Sequence, residues 1–454
     1  LSDYRWTEDD HVPGQIKILF AAPERMGKVS VRLFLNDGYE APPEEEDLVI
    51  DMHSEEYCGM ISRSLLQLGN PYRVRKAIEK SKAGKEVTLA YIGGSITQGA
   101  GAIPIHTECY AYKSFQLFQN RFSTQNNVRF IKAGVGGTPS ELGMIRFDRD
   151  VLREGERPDI VVIEFAVNDE GDETKGVCYE SLVRKVLKLP WKPAVVLLFS
   201  VFANDWNLQE RLRPVGDLYD LPMVSIRDAV TPQFSLKCGE GRILSKNQFF
   251  YDIFHPNNTG HTIMADCLQY LFERCDAAEP ARVGTFVEGM TEEQILSEKL
   301  SGPAVIGADF ERIFLLDKKN RYVGAKIRTG SFTSTDMELQ SVEMDGNLIQ
   351  TPEFPYNWMY DGSRPQMAGF EMEIICKSLF LIFKDSGETD VGKANVFVND
   401  VYCMTADPHK NNWLHCNAVL LFWETESRSH KVRIAVTEED RNKKFTILGF
   451  GYTI

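Results

Sequence analysis

The spacing of hydrophobic positions along the chain changes twice. Residues 1 to about 70 carry β-rich, partly alternating runs, QIKILFAA and KVSVRLFLND, separated by acidic turns such as EAPPEEED. This pattern predicts short strands with too little apolar surface for a core of their own. From Asn70-Pro71 the spacing becomes helical, and VRKAIEKSKAG ends at Gly84 before the apolar run VTLAYIG at 87–93. Strands are predicted there and at 128–134 (VRFIKAG), 159–167 (DIVVIEFAV), 194–202 (AVVLLFSVF) and 222–228 (PMVSIRD). Helical stretches such as YKSFQLFQNRF and CYESLVRKVLKL lie between them, and TGHTIMADCLQYLFERC follows the last. Continuous apolar strands spaced by crossover helices imply a parallel sheet covered on both faces.

Past Cys275 the pattern switches to frequent short strands: RIFLLD, YVGAKIRTG, ELQSVEM, SLFLIFKD, NVFVNDVYCM, CNAVLLFWE, KVRIAV and KFTILGFGYT. Evenly spaced strands with Asn, Asp and Gly between them argue for an antiparallel β-sandwich of the jelly-roll kind. The expected organisation is a β-rich segment over 1–70 docking on that sandwich, an α/β domain over 71–277, a linker over 278–304 and the sandwich over 305–454.

Composition narrows the function classes. The 454 residues hold 43% apolar and 26% charged side chains, and no apolar run approaches the roughly 20 residues that span a bilayer. A formal charge of -14 with no Lys/Arg run repels phosphate backbones and anionic lipid, so neither nucleic acid nor membrane is an expected partner. The nine cysteines (58, 109, 178, 238, 267, 275, 376, 403 and 416) are scattered, without CxxC or a Cys/His ligand spacing. They read as free thiols of a reducing compartment, and the opening LSDYRW has no signal-peptide pattern, so a cytoplasmic location is expected. The pattern does not specify an oligomeric state.

Four segments carry candidate chemistry, each following an apolar strand or near the end of the α/β region: YIGGSITQGAG (91–101), KAGVGGTPS (132–140), FAVND (165–169) and FYDIFHPNNTGH (250–261). Loops at the carboxyl ends of parallel strands share one edge of the sheet and can converge. Convergence would assemble an acyl-transfer site. Ser95 needs a base to remove its proton, His255 can supply it, and Asp252 can orient the imidazole and balance its transient charge. Candidate oxyanion donors are the Ser95 N–H, the Gly137 N–H and the Asn168 side-chain amide. No metal or cofactor is called for. Glu164, inside the apolar strand VVIEFAV, is expected to find a structural partner, and His261 to make a local helix-end contact.

At GGSITQG, AGVGGTPS, AVND and DIFHP the chain resembles the SGNH (GDSL-like) hydrolase superfamily over about residues 85–276. The resemblance implies a flavodoxin-like fold with Ser95 as nucleophile, Gly137 and Asn168 completing the oxyanion hole, and Asp252 with His255 completing the triad. Two positions depart from the common pattern: Gly94 stands where the first block usually has Asp, and Ala166 where the third usually has Gly. The form of the first block, with an appended jelly roll, is similar to carbohydrate acetylesterases that carry a carbohydrate-binding-module-like domain. An acetylated manno- or xylo-oligosaccharide is then the expected substrate. A sugar site offers flat aromatic faces, and the candidates are Trp358 and Tyr360 in PYNWMYDG, Trp206 in FANDWN and Trp413 in PHKNNWLH. Alternatives are a lipid esterase or thioesterase, a sugar acetyltransferase, and a non-catalytic glycan-binding protein.

Overall fold

The computed structural model describes residues 47–278, 290–363 and 368–454. The strands expected at 15–22 and 28–37, and residues 279–289 of the expected linker, lie outside the described residues, while Glu292–Ser301 of that linker is a helix.

The first sheet contains β1 (Leu65–Gln67), β2 (Val87–Gly93), β3 (Val128–Gly134), β4 (Ile160–Glu164), β5 (Ala194–Phe199) and β6 (Met223–Ser225), in the order β1-β6-β5-β4-β2-β3. Strands β2 to β6 are parallel, and only β1 is antiparallel, against β6. Numbered along the chain, the five parallel strands lie in the order 2-1-3-4-5, the flavodoxin-like arrangement. Successive residues of a strand face opposite sides. Leu89, Tyr91, Ile160 and Val162 therefore join one apolar core, while Ala90, Ile92, Val161 and Ile163 join another across the sheet. Helices cover both faces, which is why every residue of β2, β4 and β5 is buried and the strands read as unbroken apolar runs.

Residues 47–70, the described part of the expected β-rich segment, belong to the α/β half. Glu55–Ser62 is a helix whose Tyr57, Met60 and Ile61, one helical stripe, are buried in the α/β core, and Tyr57 donates its hydroxyl proton to Asp266. β1 then closes the edge of the parallel sheet.

The C-terminal half is antiparallel. Its strands are β7 (Phe314–Leu316), β8 (Ala325–Arg328), β9 (Ser341–Glu343), β10 (Gln350–Pro352), β11 (Trp358–Tyr360), β12 (Phe370–Asp385), β13 (Ala394–Val398), β14 (Val401–Ala406), β15 (His415–Val436) and β16 (Phe445–Thr453). β9 and β10 form a separate two-stranded sheet. The long strands β12 and β15 pair along their length, with register shifts near Cys376 to Phe380. Before that irregularity β12 also pairs with β8, and after it with β16. The two halves enclose one core: Phe370 of the first half stacks on Phe450 of β16 at 5.8 Å between ring centroids. A bulged strand bends, and here the bend folds the sheet over itself. The stretches CNAVLLFWE and KVRIAV, read separately above, belong to the single strand β15. Among the described residues no helix is long and apolar enough to cross a membrane, and none of the nine cysteines is disulfide-bonded.

Candidate active site

The register of the parallel sheet brings three of the loops together. Gly93 of β2 pairs with Gly134 of β3 and Glu164 of β4, so the three strands end level. Ser95, Gly137 and Asn168 follow within a few residues, at the point where the strand order reverses and open α/β sheets place their ligands. Ser95 opens the helical turn Ser95–Gln98. A Cβ built on Gly136 would lie 3.7 Å from the Ser95 Cβ, so the β3 loop lies beside the serine. Asn168 packs against the other flank: a Cβ on Gly94 would meet the Asn168 Oδ1 at 2.2 Å. Any side chain at position 94 would require that amide to shift.

The fourth loop lies between the short helix Lys246–Phe249 and the helix Asn258–Ala277. Asp252 Oδ1 accepts the backbone N–H groups of Phe254 and His255, each at 2.8 Å, which winds Asp-x-x-His into a tight turn. The same carboxylate meets His255 Nδ1 at 2.9 and 3.0 Å, and His255 Nε2 lies 2.9 Å from Ser95 Oγ. Burial raises the Asp252 carboxyl, but the hydrogen bond and charge of His255 and the two N–H donors outweigh it and hold it below the usual carboxylate range. The carboxylate is thus ionised where it faces the imidazole. This chain of carboxylate, imidazole and hydroxyl is the geometry that activates a serine for acyl transfer.

Supporting groups fasten the loops. Asp169 accepts the Ser140 N–H at 2.7 Å, tying the loop after β4 to the helix Ser140–Phe147 that follows Gly137. Glu164 is fully buried and accepts the Thr97 hydroxyl at 3.0 Å, the structural partner expected for it. Burial pushes its carboxyl up to about 7. His261 is also fully buried, accepts the Tyr110 N–H at 3.2 Å and meets the Ala100 carbonyl at 3.1 Å. Desolvation lowers it to about 3, so it is a neutral brace between the last helix and the loop after Ser95. Among the described residues Glu141, Asp172 and Cys178 form a buried group whose potential ligand atoms lie within 4.8 Å of one another. Burial and neighbouring carboxylates, Asp172 foremost, push Glu141 up to about 10, so it carries its proton at neutral pH.

The four aromatic candidates part company. Trp358 and Tyr360 are not exposed loop residues: they lie in β11, 4% and 1% exposed, and belong to the sandwich core. Alternation sends both to the same face, where Trp358 packs on Phe370 and Phe450, and their burial removes more apolar area from water than a solvated loop would allow. Trp206 is half-buried and stacks on Phe202, which touches Phe254 beside His255. Trp413 reaches the site from the other domain. Its ring is 44% exposed, stacks on His415 at 4.4 Å and lies where a Cβ on Gly137 would come within 2.4 Å of it. Gly137, at φ +71°, is therefore required both by its backbone conformation and by that ring. Sequence reasoning missed Phe202 and Phe254, although Phe254 stands within the quoted DIFHP block, and it missed Gln340, which donates to the Gly136 carbonyl at 2.9 Å.

The site and its sheet define the class. Residues 91–263, within the α/β half, match the model of the GDSL-like lipase/acylhydrolase family. The chain is similar in fold to a crystal structure of a two-domain esterase (CEX) active on acetylated mannans, co-crystallised with mannopentaose. The TM-score is 0.69 at 23% identity, over 86% of this chain and 97% of that one. A second structure described as a two-domain esterase (CEX) active on acetylated mannans gives 0.68 at 23% identity, over 86% and 98%. No curated protein matches the sequence.

Proposed function

We propose that the protein is a serine carbohydrate esterase that removes O-acetyl groups from short manno- or xylo-oligosaccharides. The observation that carries this reading is the hydrogen-bonded chain from Asp252 through His255 to Ser95, beside an exposed tryptophan supplied by the second domain. Ser95 Oγ attacks the acetyl carbonyl carbon while His255 Nε2 takes its proton. The N–H groups of Ser95 and Gly137 and the Asn168 amide stabilise the oxyanion, each worth on the order of 3 kcal/mol in the transition state. His255 returns the proton to the departing sugar oxygen, then takes one from the water that releases acetate from the acyl-serine. Trp413 on the Gly137 side, and Trp206 with Phe202 and Phe254 on the His255 side, provide flat faces for pyranose rings. The likeness in fold to an esterase active on acetylated mannans favours a mannan-derived substrate.

The test is acetate release from acetylated manno- and xylo-oligosaccharides, compared with short- and long-acyl nitrophenyl esters. Glycan deacetylation with little long-acyl activity is expected, and Ser95→Ala should lower kcat by at least about a thousandfold without unfolding the protein. Activity in the folded Ser95→Ala variant would overturn the site, and long-acyl activity alone would overturn the substrate class.

A further inference from the structure

The nucleophile turn is attached to the second domain by a chain of charged side chains, buried except for the half-buried Arg149. Arg146, in the wholly buried helix Ser140–Phe147, has no exposed surface. Its Nη2 donates to the Gly93 carbonyl at 2.8 Å and its Nη1 to the Ala133 carbonyl at 2.7 Å. Gly93 lies just before Ser95, and Ala133 lies four residues before Gly137, so one planar guanidinium bridges the two strand ends that carry the serine and an oxyanion donor. The same Nη1 meets Asp150 at 2.9 Å, in the π-helical turn Asp148–Leu152 that continues the helix. Asp150 is paired in turn with Arg149, and Arg149 with Glu353, which is 1% exposed and follows β10 in the second domain. The Arg149 guanidinium also lies 4.1 Å over the Phe354 ring.

A second attachment starts beside Glu353. Its N–H donates to the Gln340 carbonyl at 2.8 Å, and the Gln340 side chain donates to Gly136 and accepts the Cys416 N–H at 3.0 Å. The segment 340–353 therefore holds both sides of the serine: the oxyanion loop through Gln340, and the strand ends through Glu353, Arg149, Asp150 and Arg146. Two arginines alternate with two carboxyl groups along the chain, and removal of one member leaves a buried partner whose neighbours must move. Arg suits the end position because its planar fork satisfies two carbonyls in fixed geometry, whereas a lysine ammonium is a point charge on a flexible stem.

We propose that Arg146 is a positioning residue for the Ser95 reaction, and that Glu353 of the second domain sets its orientation, so the docked sandwich tunes turnover without touching the acyl group. The proposal rests on Ser95 being the nucleophile. The test uses 4-nitrophenyl acetate, with Glu353→Gln, Arg149→Lys and Arg146→Lys in the full chain, each assayed below its own unfolding temperature. A misplacement of the reacting groups should lower kcat by on the order of tenfold to a hundredfold while KM stays within about twofold. Arg146→Lys should fail to restore kcat although it keeps the charge.

A merely structural chain predicts the opposite: wild-type kcat in every variant that is folded. Wild-type kcat in folded Glu353→Gln, or in folded Arg149→Lys should the first variant not fold, overturns the proposal. Ser95→Ala in the same assay separates the two failures. Activity there removes the nucleophile reading, whereas its loss alongside normal Glu353→Gln turnover removes only the role of the charge chain.

Discussion

Glu164 joins the strand to the serine turn through Thr97, and its ionisation has a stability consequence that can be measured. Burial is the largest influence on it and lifts the folded carboxyl from the ordinary 4.5 to about 7, against the opposing hydrogen bond from Thr97. The folded protein therefore binds a proton that the unfolded chain releases between those values. Glu164 opposes folding increasingly as pH climbs from about 4.5 to 7, and no further above it, by on the order of 3 kcal/mol in all. Unfolding temperatures of wild type and Glu164→Gln across pH 4 to 9 should diverge in slope over that window and run parallel above it. Any constant cost of the amide drops out of the slope, and equal slopes throughout would show that Glu164 does not titrate there. The carboxylate was visible in the sequence as a charge inside an apolar strand. Its partner Thr97 was not, because the contact crosses from β4 to the turn after β2.

At the scale of elements, the strand ends and the loop before β15 divide the work. Level termination of β2, β3 and β4 follows from apolar runs paired in register, and those runs were legible in the sequence. The loop 407–414 was legible only as a loop containing a tryptophan. It is fastened by Asn411, which donates to the buried Asp385 at the end of β12 at 2.8 Å and lies 3.1 Å from His415, the ring under Trp413. A stacked ring is worth about 0.5–1.5 kcal/mol beyond its area, and tenfold is about 1.4 kcal/mol. Trp413→Ala should lower kcat/KM about tenfold or more on acetylated oligosaccharide and leave 4-nitrophenyl acetate within about twofold. Equal kcat/KM on the oligosaccharide would remove Trp413 from the sugar site. Trp358 was misread because a three-residue strand among Asn, Asp and Gly has the composition of a loop. The inward pairing of Trp358 and Tyr360 at alternate positions needs β16 beside it.

For the molecule as a whole, the decisive feature is that one apolar core spans both halves. Phe380, Ile382 and Leu448 of the antiparallel half are buried with Phe147, Phe165 and Leu182 of the α/β half. Neither half presents a water-compatible face there, and the charge chain from Glu353 crosses the same boundary. A shared core couples the unfolding of its parts. Calorimetry of the full chain should show a single cooperative transition, and two resolved transitions would mean that the contact is a loose docking.

The sequence by itself determined the alternation of buried strands and helices, the switch to antiparallel pairing, and the four loops in which acyl-transfer chemistry was sought. These are local properties, set by period, glycine placement and turn residues. Tertiary structure decided which loops meet at Ser95, which aromatics are core and which face solvent, and how the second domain reaches the strand ends through Glu353 and Arg146. Each of those depends on a partner up to about 250 residues away, as where the Leu420 N–H donates to Glu173. A linear pattern specifies that a side chain is buried or charged, but only packing supplies the group it is buried against.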